Sequence, residues 1–410
     1  MPDMVRADGL TPEERRISER VEATREEAIA LLERVVNIES PTENLDGVRE
    51  VGKVFRAEFD RIGFETHWET MPPEMKRAGH LIAETRGTTG KRILIIGHLD
   101  TVLGLGRFER KGSKATGSGT EDMKGGDVIL LQALKALHEA GALKDRRIIV
   151  VMTGDEEDAG MPIAQSRKSL LDAAGRSDVA LAFEGVIDDT ATVARRGAST
   201  WKLEVSAPTG HSSGILGDDA GAGAIYESAR ILDAFRREVT EKYLTINPSV
   251  QVGGTTARYD SPAKSGSAEG KTNVVPGQVV IEGDLRFISE EQKETAREAM
   301  RKIVAGNLAK TKAVITFADE YPAMSPRDGN YRILNVLDQA SRDLGLGPVQ
   351  ALDPGRRGAG DISFVGPRID GLDGLGASGG ESHAPGEWVD LDALTPQTKK
   401  AALLIYRLTR

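Results

Sequence analysis

The stretch Arg92-Ile93-Leu94-Ile95-Ile96-Gly97-His98-Leu99-Asp100 sets the fold class of this chain. Its apolar core is short and unbroken, without the polar alternation of a half-exposed strand. Such a run fits a buried strand covered on both faces. A histidine and an aspartate follow at once. In open α/β sheets, ligands bind just past the carboxyl ends of the strands. Two further runs have the same character: Arg147-Ile148-Ile149-Val150-Val151-Met152 and Val179-Ala180-Leu181-Ala182-Phe183. Between the first run and the second, Ile129, Leu130, Ala133, Leu134 and Leu137 share one face of a helix expected over 127–140. Strands alternating with helices predict a mostly parallel central sheet flanked by helices.

Upstream, residues 11–61 read as helical. Thr11-Pro12-Glu13-Glu14 is a helix start, with a capping threonine and proline at the first helical position. Ser40-Pro41-Thr42 interrupts the helical pattern, and a second helix ends near Gly63.

Downstream, the pattern changes near Ala198, where Thr200-Trp201-Lys202-Leu203-Glu204-Val205 alternates at period two. A helix over 221–237, strands over 244–252 and 279–287, a helix over 289–309 and a strand over 313–317 follow. The order β-α-β-β-α-β describes a ferredoxin-like domain. It is expected as an insertion at 198–319 into an α/β domain formed by 1–197 and 320–410. The Gly/Ser/Lys/Ala-rich residues 257–271 are expected as an exposed loop of the insert.

Composition narrows the chemistry. At 410 residues, two domains are the prior. The net charge of -9 gives no general attraction to nucleic acid or anionic membranes, and Lys111-Gly112-Ser113-Lys114 is too short to act as a basic patch. Cysteine is absent, so disulfides and thiolate metal sites are excluded. Residues 1–6 carry no apolar signal core, and no segment approaches a membrane span; the expected location is cytoplasmic.

His98 and Asp100 follow the first buried strand, Asp155-Glu156-Glu157-Asp158 the second and Glu184 the third. Asp122 lies in a glycine-rich loop ahead of the helix, and His383 in the glycine-rich stretch 371–386. Each has a bland reading. His near Asp is common on surfaces, and a Glu pair is usually a solvated charge run. The Gly-x-Gly of the Asp122 loop lacks the Gly-Lys-Ser/Thr ending of a phosphate loop. Coincidence at so many strand ends is what argues for a site. His67, His80 and His138 fit no such position.

Five blocks carry a resemblance: Gly97-His98-Leu99-Asp100-Thr101-Val102, Asp122-Met123-Lys124-Gly125-Gly126, Asp155-Glu156-Glu157, Phe183-Glu184 and Gly379-Gly380-Glu381-Ser382-His383-Ala384-Pro385-Gly386-Glu387. In this order the chain resembles the M20 metallopeptidases, within them the glutamate carboxypeptidase branch. The resemblance implies a zinc-peptidase-like α/β domain whose insert serves as lid and dimerisation domain. It implies two divalent metal ions, with His98 and His383 each binding one, Asp122 bridging both, and Glu157 and Glu184 completing the shells. Zinc suits such ligands, and manganese or cobalt also fits. It implies Glu156 as general base, Asp100 orienting His98, and a cis bond between Asp122 and Met123.

In the insert, His211 matches a lid histidine that stabilises the oxyanion, commonly from the partner subunit. Asn273 and Arg286 match residues that grip the substrate; the alternative for Arg286 is an ordinary strand-end salt bridge. Residues 257–271 are longer than expected for the family, and Glu381 places an acid beside the metal ligands. The expected activity is a carboxypeptidase acting on a small peptide or N-acyl conjugate, in a homodimer formed through the insert. An N-acyl amino-acid deacylase and a non-catalytic binding protein are the rivals.

Overall fold

In this computed structural model, the structure describes residues 9–410 apart from Leu105. Residues 1–6, expected to lack a signal core, lie outside them. The chain divides into two compact units. One comprises the chain up to Ala194, Met324–Arg356 and Gly360–Arg410; the other comprises Arg195–Ala323 and Arg357–Ala359.

The first unit is built on a six-stranded sheet. Its strands lie in the order Glu65–Glu69, His80–Glu84, Arg146–Thr153, Thr89–His98, Val179–Ala182 and Asp370–Leu372. The first two neighbouring pairs are antiparallel and the other three parallel. Ile93, Ile95, Ile148 and Val150 enter one core, while Leu94, Ile96, Ile149 and Val151 enter the other. Both faces are covered, which is why these strands read as unbroken apolar runs.

The helix start at Thr11 forms a reciprocal cap: Glu14 N–H donates to Thr11 Oγ1 at 3.3 Å, and Thr11 N–H to Glu14 Oε2 at 2.8 Å. The first helical stretch breaks at Thr24, leaving Pro12–Ala23 and Arg25–Val36, with Leu45–Arg61 after the Ser40-Pro41-Thr42 interruption. The helix expected from 127 begins three residues earlier, at Lys124–Glu139. Glycine permits this. A Cβ at Gly126 would fall 1.9 Å from the Phe183 carbonyl oxygen, so the helix rests backbone to backbone on the end of a central strand.

The second unit has a four-stranded antiparallel sheet in the order Thr245–Gly254, Gln278–Phe287, Gly197–Ser206 and Lys312–Tyr321. Helices Gly223–Glu238 and Glu290–Ala305 complete a βαββαβ succession. Trp201, Leu203, Ile231, Phe235, Ile281, Leu285 and Met300 share its core. Entry and exit strands are neighbours, with Ala198 paired to Tyr321. The span expected as an exposed loop is largely exposed, but most of it forms a β-hairpin at 256–269, in which Thr256–Asp260 pairs with Ser265–Glu269. Its ladder needs backbone groups only, so small polar residues suffice. The hairpin is pinned at its base by buried Ala257, whose N–H donates to Gln278 Oε1 at 3.0 Å.

Among the described residues, no helix is long and apolar enough to cross a membrane.

Candidate metal centre

Parallel pairing brings the carboxyl ends of the central strands level. His98 ends its strand opposite Thr153, so the residues after Thr153 lie beside it. Glu156 and Glu157 follow that neighbour, and Glu184 follows Val179–Ala182. Asp122 immediately precedes Met123 and the Lys124–Glu139 helix, and the Asp122–Met123 peptide bond is cis. His383 lies between the short strands Gly379–Gly380 and Trp388–Asp390.

The structure brings five of these residues together around one carboxylate. His98 Nε2 lies 3.1 Å from Asp122 Oδ1, and His383 Nε2 lies 3.1 Å from Asp122 Oδ2. Glu184 Oε1 is 3.7 Å from His98 Nε2, and Glu157 Oε2 is 3.2 Å from His383 Nε2. Two groups able to hold a metal ion result, His98–Asp122–Glu184 and Asp122–Glu157–His383. They share Asp122, one oxygen facing each histidine.

These residues fit a pair of divalent cations. Imidazole and carboxylate are the donors that zinc, manganese and cobalt accept. Glu157 Oε1 is buried with no hydrogen-bond partner among the described residues, which suits an oxygen that serves as a metal ligand. Electrostatics agree. Asp122, Glu156, Glu157 and Glu184 crowd two imidazoles. Burial and the neighbouring Glu184 charge push the Glu156 carboxyl well above the usual range, and burial also raises Glu157. Burial opposes charge on His98, but hydrogen bonds to Asp100 and Asp122 outweigh it and raise its pKa. Bonds to Asp122 and Glu157 push His383 up to about 11. The two histidines hold Asp122 well below the carboxylate range despite its burial. A cluster this acidic is stabilised by added positive charge.

Asp100 does more than face His98. Its carbonyl oxygen is 3.0 Å from His98 Nδ1, while its carboxylate stands 3.5 Å from that nitrogen. The carboxylate accepts the backbone N–H groups of Glu156 at 3.0 Å and Glu157 at 3.1 Å, and the Thr42 hydroxyl at 2.7 Å. Thr42 belongs to the interruption seen in the sequence.

Below the Glu156–Glu157 turn lies a buried polar network that the sequence did not reveal. Arg167, fully buried, donates through Nη1 to Asp155 Oδ1 at 2.6 Å and through Nε to Asp361 Oδ1 at 2.7 Å. Ser166 Oγ donates to Asp155 Oδ2 at 2.6 Å. Thr153 Oγ1 donates to Asp361 Oδ2 at 2.5 Å. His80, without a role in the sequence blocks, is buried here, 2.7 Å from the Ser166 carbonyl oxygen and accepting the Gly154 N–H. Asp361 is thus one of the three members of a buried ion triad with Arg167 and Asp155. No local pattern marks it, since its partners lie far away in sequence. His67 and His138 are exposed.

The remaining candidates belong to the second unit. His211 and Asn273 are brought together: His211 bridges to Val274, and Ser212 N–H donates to the Asn273 carbonyl at 2.9 Å. Both side chains are exposed. Arg286 Nε donates to Asp284 Oδ2 at 2.8 Å on the same strand, the salt bridge that was the alternative to substrate binding.

Known proteins share this architecture. The profile of peptidase family M20/M25/M40 matches residues 94–407. Carboxypeptidase G2 of Pseudomonas sp. (strain RS-16) is 25% identical over 394 residues, covering 93% of this chain and 89% of that one. Aminopeptidase PepT of Bacillus cereus ATCC 10987 superposes with a TM-score of 0.74 at 19% identity, covering 94% of this chain and 99% of that one. The YXEP protein of Bacillus subtilis, described as a dinuclear metal-binding peptidase, superposes with a TM-score of 0.65 at 16% identity, covering 95% and 99%.

Proposed function

This chain belongs to peptidase family M20/M25/M40, and from that premise we propose that it is a two-metal amide hydrolase releasing a C-terminal amino acid from small peptides or N-acyl conjugates. The observation that carries the reading is Asp122 between His98 and His383, one carboxylate oxygen 3.1 Å from each imidazole. The similarity to carboxypeptidase G2 supports the carboxypeptidase assignment.

In this reading His98, Asp122 and Glu184 hold one divalent cation, and Asp122, Glu157 and His383 the other. Zinc is the first choice by donor chemistry. Such ions supply Lewis acidity toward a carbonyl oxygen and lower the pKa of water. The protein's own work falls to Glu156. Its carboxylate takes a proton from the attacking water and returns it to the leaving nitrogen. Asp100 fixes the backbone of that base and, through its carbonyl, the ring of His98. His211 stabilises the developing oxyanion, Asn273 contacts the substrate, and Arg286 receives its terminal carboxylate. Arg286 pairs with Asp284 through Nε, leaving its two terminal nitrogens outside that bond. The insert is assigned as lid and dimerisation domain of a homodimer, with His211 acting across it.

Metal analysis combined with a substrate panel tests this function. Two zinc ions per chain and cleavage of dipeptides at the C-terminal residue are expected. Preference for N-acetyl or longer N-acyl amino acids would establish the deacylase instead. A fully metallated protein that cleaves no amide overturns the enzyme reading. Gel filtration showing a monomer removes the homodimer and the action of His211 across it.

A further inference from the structure

Two carboxylates outside the ligand set tie the Asp122 loop to the His383 loop. Glu387, only 5% exposed, reaches out of the His383 loop and accepts three backbone N–H groups of the other: Gly119 and Glu121 at 2.8 Å, and Asp122 at 2.9 Å. Strand register delivers it there. Trp388–Asp390 pairs antiparallel with Lys114–Thr116, Trp388 opposite Thr116, and Gly117 N–H donates to the Glu387 carbonyl at 3.2 Å. Glu121 makes the return link, its Oε2 accepting the hydroxyl of Ser382, the neighbour of His383. Each loop therefore offers a carboxylate to the other.

The remaining ligands have other anchors. His98 ends a central strand, and Glu157 and Glu184 follow central strands. Asp122 is followed by a helix resting against Phe183. His383 has none of these. It is exposed, its φ is +63°, and among the described residues the backbone hydrogen bonds made within its loop are turn bonds, Ala384 N–H to Glu381 O and Glu387 N–H to Ala384 O, each at 3.1 Å. A non-glycine residue in the left-handed region keeps that conformation only if its surroundings hold it.

We propose that Glu387, with Glu121 as its counterpart, is a positioning residue for one ion site, that of Asp122, Glu157 and His383, and that the His98–Asp122–Glu184 site does not depend on it. This rests on the two-metal reading above. A carboxylate is needed because all three groups facing it are donors. The carboxamide of glutamine would turn an NH2 toward at least one of them.

The experiment is a titration of metal-free full-length protein with zinc, followed by equilibrium dialysis and elemental analysis, and repeated with cobalt(II) so that its visible absorption reports each site. Wild type takes two ions. Glu387→Gln is expected to take the first with wild-type affinity and the second at least about tenfold more weakly, the usual cost of losing an outer contact to a metal site. Ser382→Ala, which removes only the return link, weakens the same site by less. Two ions bound by Glu387→Gln with wild-type affinities, or equal weakening of both, overturns the proposal. If circular dichroism shows that Glu387→Gln is unfolded, Ser382→Ala and Glu121→Gln decide by the same criterion. A wild type that takes fewer than two ions fails the two-metal reading itself, and that failure is distinguishable because it appears without any substitution.

Discussion

Asp100 Oδ1 accepts the backbone N–H of Glu156 at 3.0 Å, so the residue two beyond His98 also sets the main chain of the proposed base. Asp100→Asn replaces part of this acceptor with a donor facing an N–H. Metal affinity is expected to fall about 10–100-fold, with kcat falling more than the metal loss explains. Kinetics at saturating zinc against zinc titration separate the two effects; full kcat at saturating zinc would show that Asp100 does not govern Glu156.

Glu156→Gln keeps the shape of the side chain but cannot take a proton. A drop in kcat of about 10²–10⁴-fold is expected, with zinc content unchanged because Glu156 is outside both ion groups. Elemental analysis beside turnover checks this. A variant that also loses metal would make Glu156 a ligand.

Removing the ions by dialysis against a chelator is expected to abolish activity and lower Tm. A site filled at 100 times its dissociation constant contributes about 2.7 kcal/mol. Restoring zinc should recover both; unchanged Tm and activity after verified metal removal would contradict the site.

Arg167→Leu leaves Asp155 and Asp361 buried without their shared cation. Breaking a buried ion group in this way costs about 3–5 kcal/mol. Urea unfolding of the metal-free protein reads the loss directly. A change below about 1 kcal/mol would mean the network relaxes without it.

Asp127 supplies a pH test. Both carboxyl oxygens are buried without a hydrogen-bond partner among the described residues, and burial pushes the group well above the carboxylate range. The unfolded chain releases this proton at lower pH than the folded chain. Above the usual carboxylate range, the unfolded state binds fewer protons, so stability falls as pH rises toward the folded value. In metal-free Asp127→Asn that fall should shrink, favouring the variant more at pH 8 than at pH 5.5 in denaturant titrations. A difference independent of pH would remove Asp127 as the cause.

The central strands were legible because burial on both faces demands an uninterrupted apolar sequence, as in Ile93–Ile96. The residues just beyond them could be placed from that alone, and His98, Glu157 and Glu184 do converge with Asp122 and His383. What could not be read depends on partners distant in sequence. The Asp100 carboxylate finds its donors at Glu156 and Glu157, and Arg167 meets Asp361. Neither pairing leaves a local pattern. The hairpin at 256–269 was hidden for a different reason: its pairing is carried by backbone groups, and Ser265-Gly266-Ser267-Ala268 has the composition of a loop. Glu387 lay inside a recognised block, but its three acceptor bonds exist only because Trp388 pairs with Thr116.

The pairing of Ala198 with Tyr321 means that the chain leaves the insert beside where it entered. A segment with adjoining ends behaves as a cassette. It can be excised, and the gap between Ala194 and Met324 closed by a short linker, or exchanged for another βαββαβ sequence of different length. Such an exchange leaves the chain order of His98, Asp122, Glu157, Glu184 and His383 untouched, so the insert can diversify by recombination while the unit that carries those five residues is inherited whole.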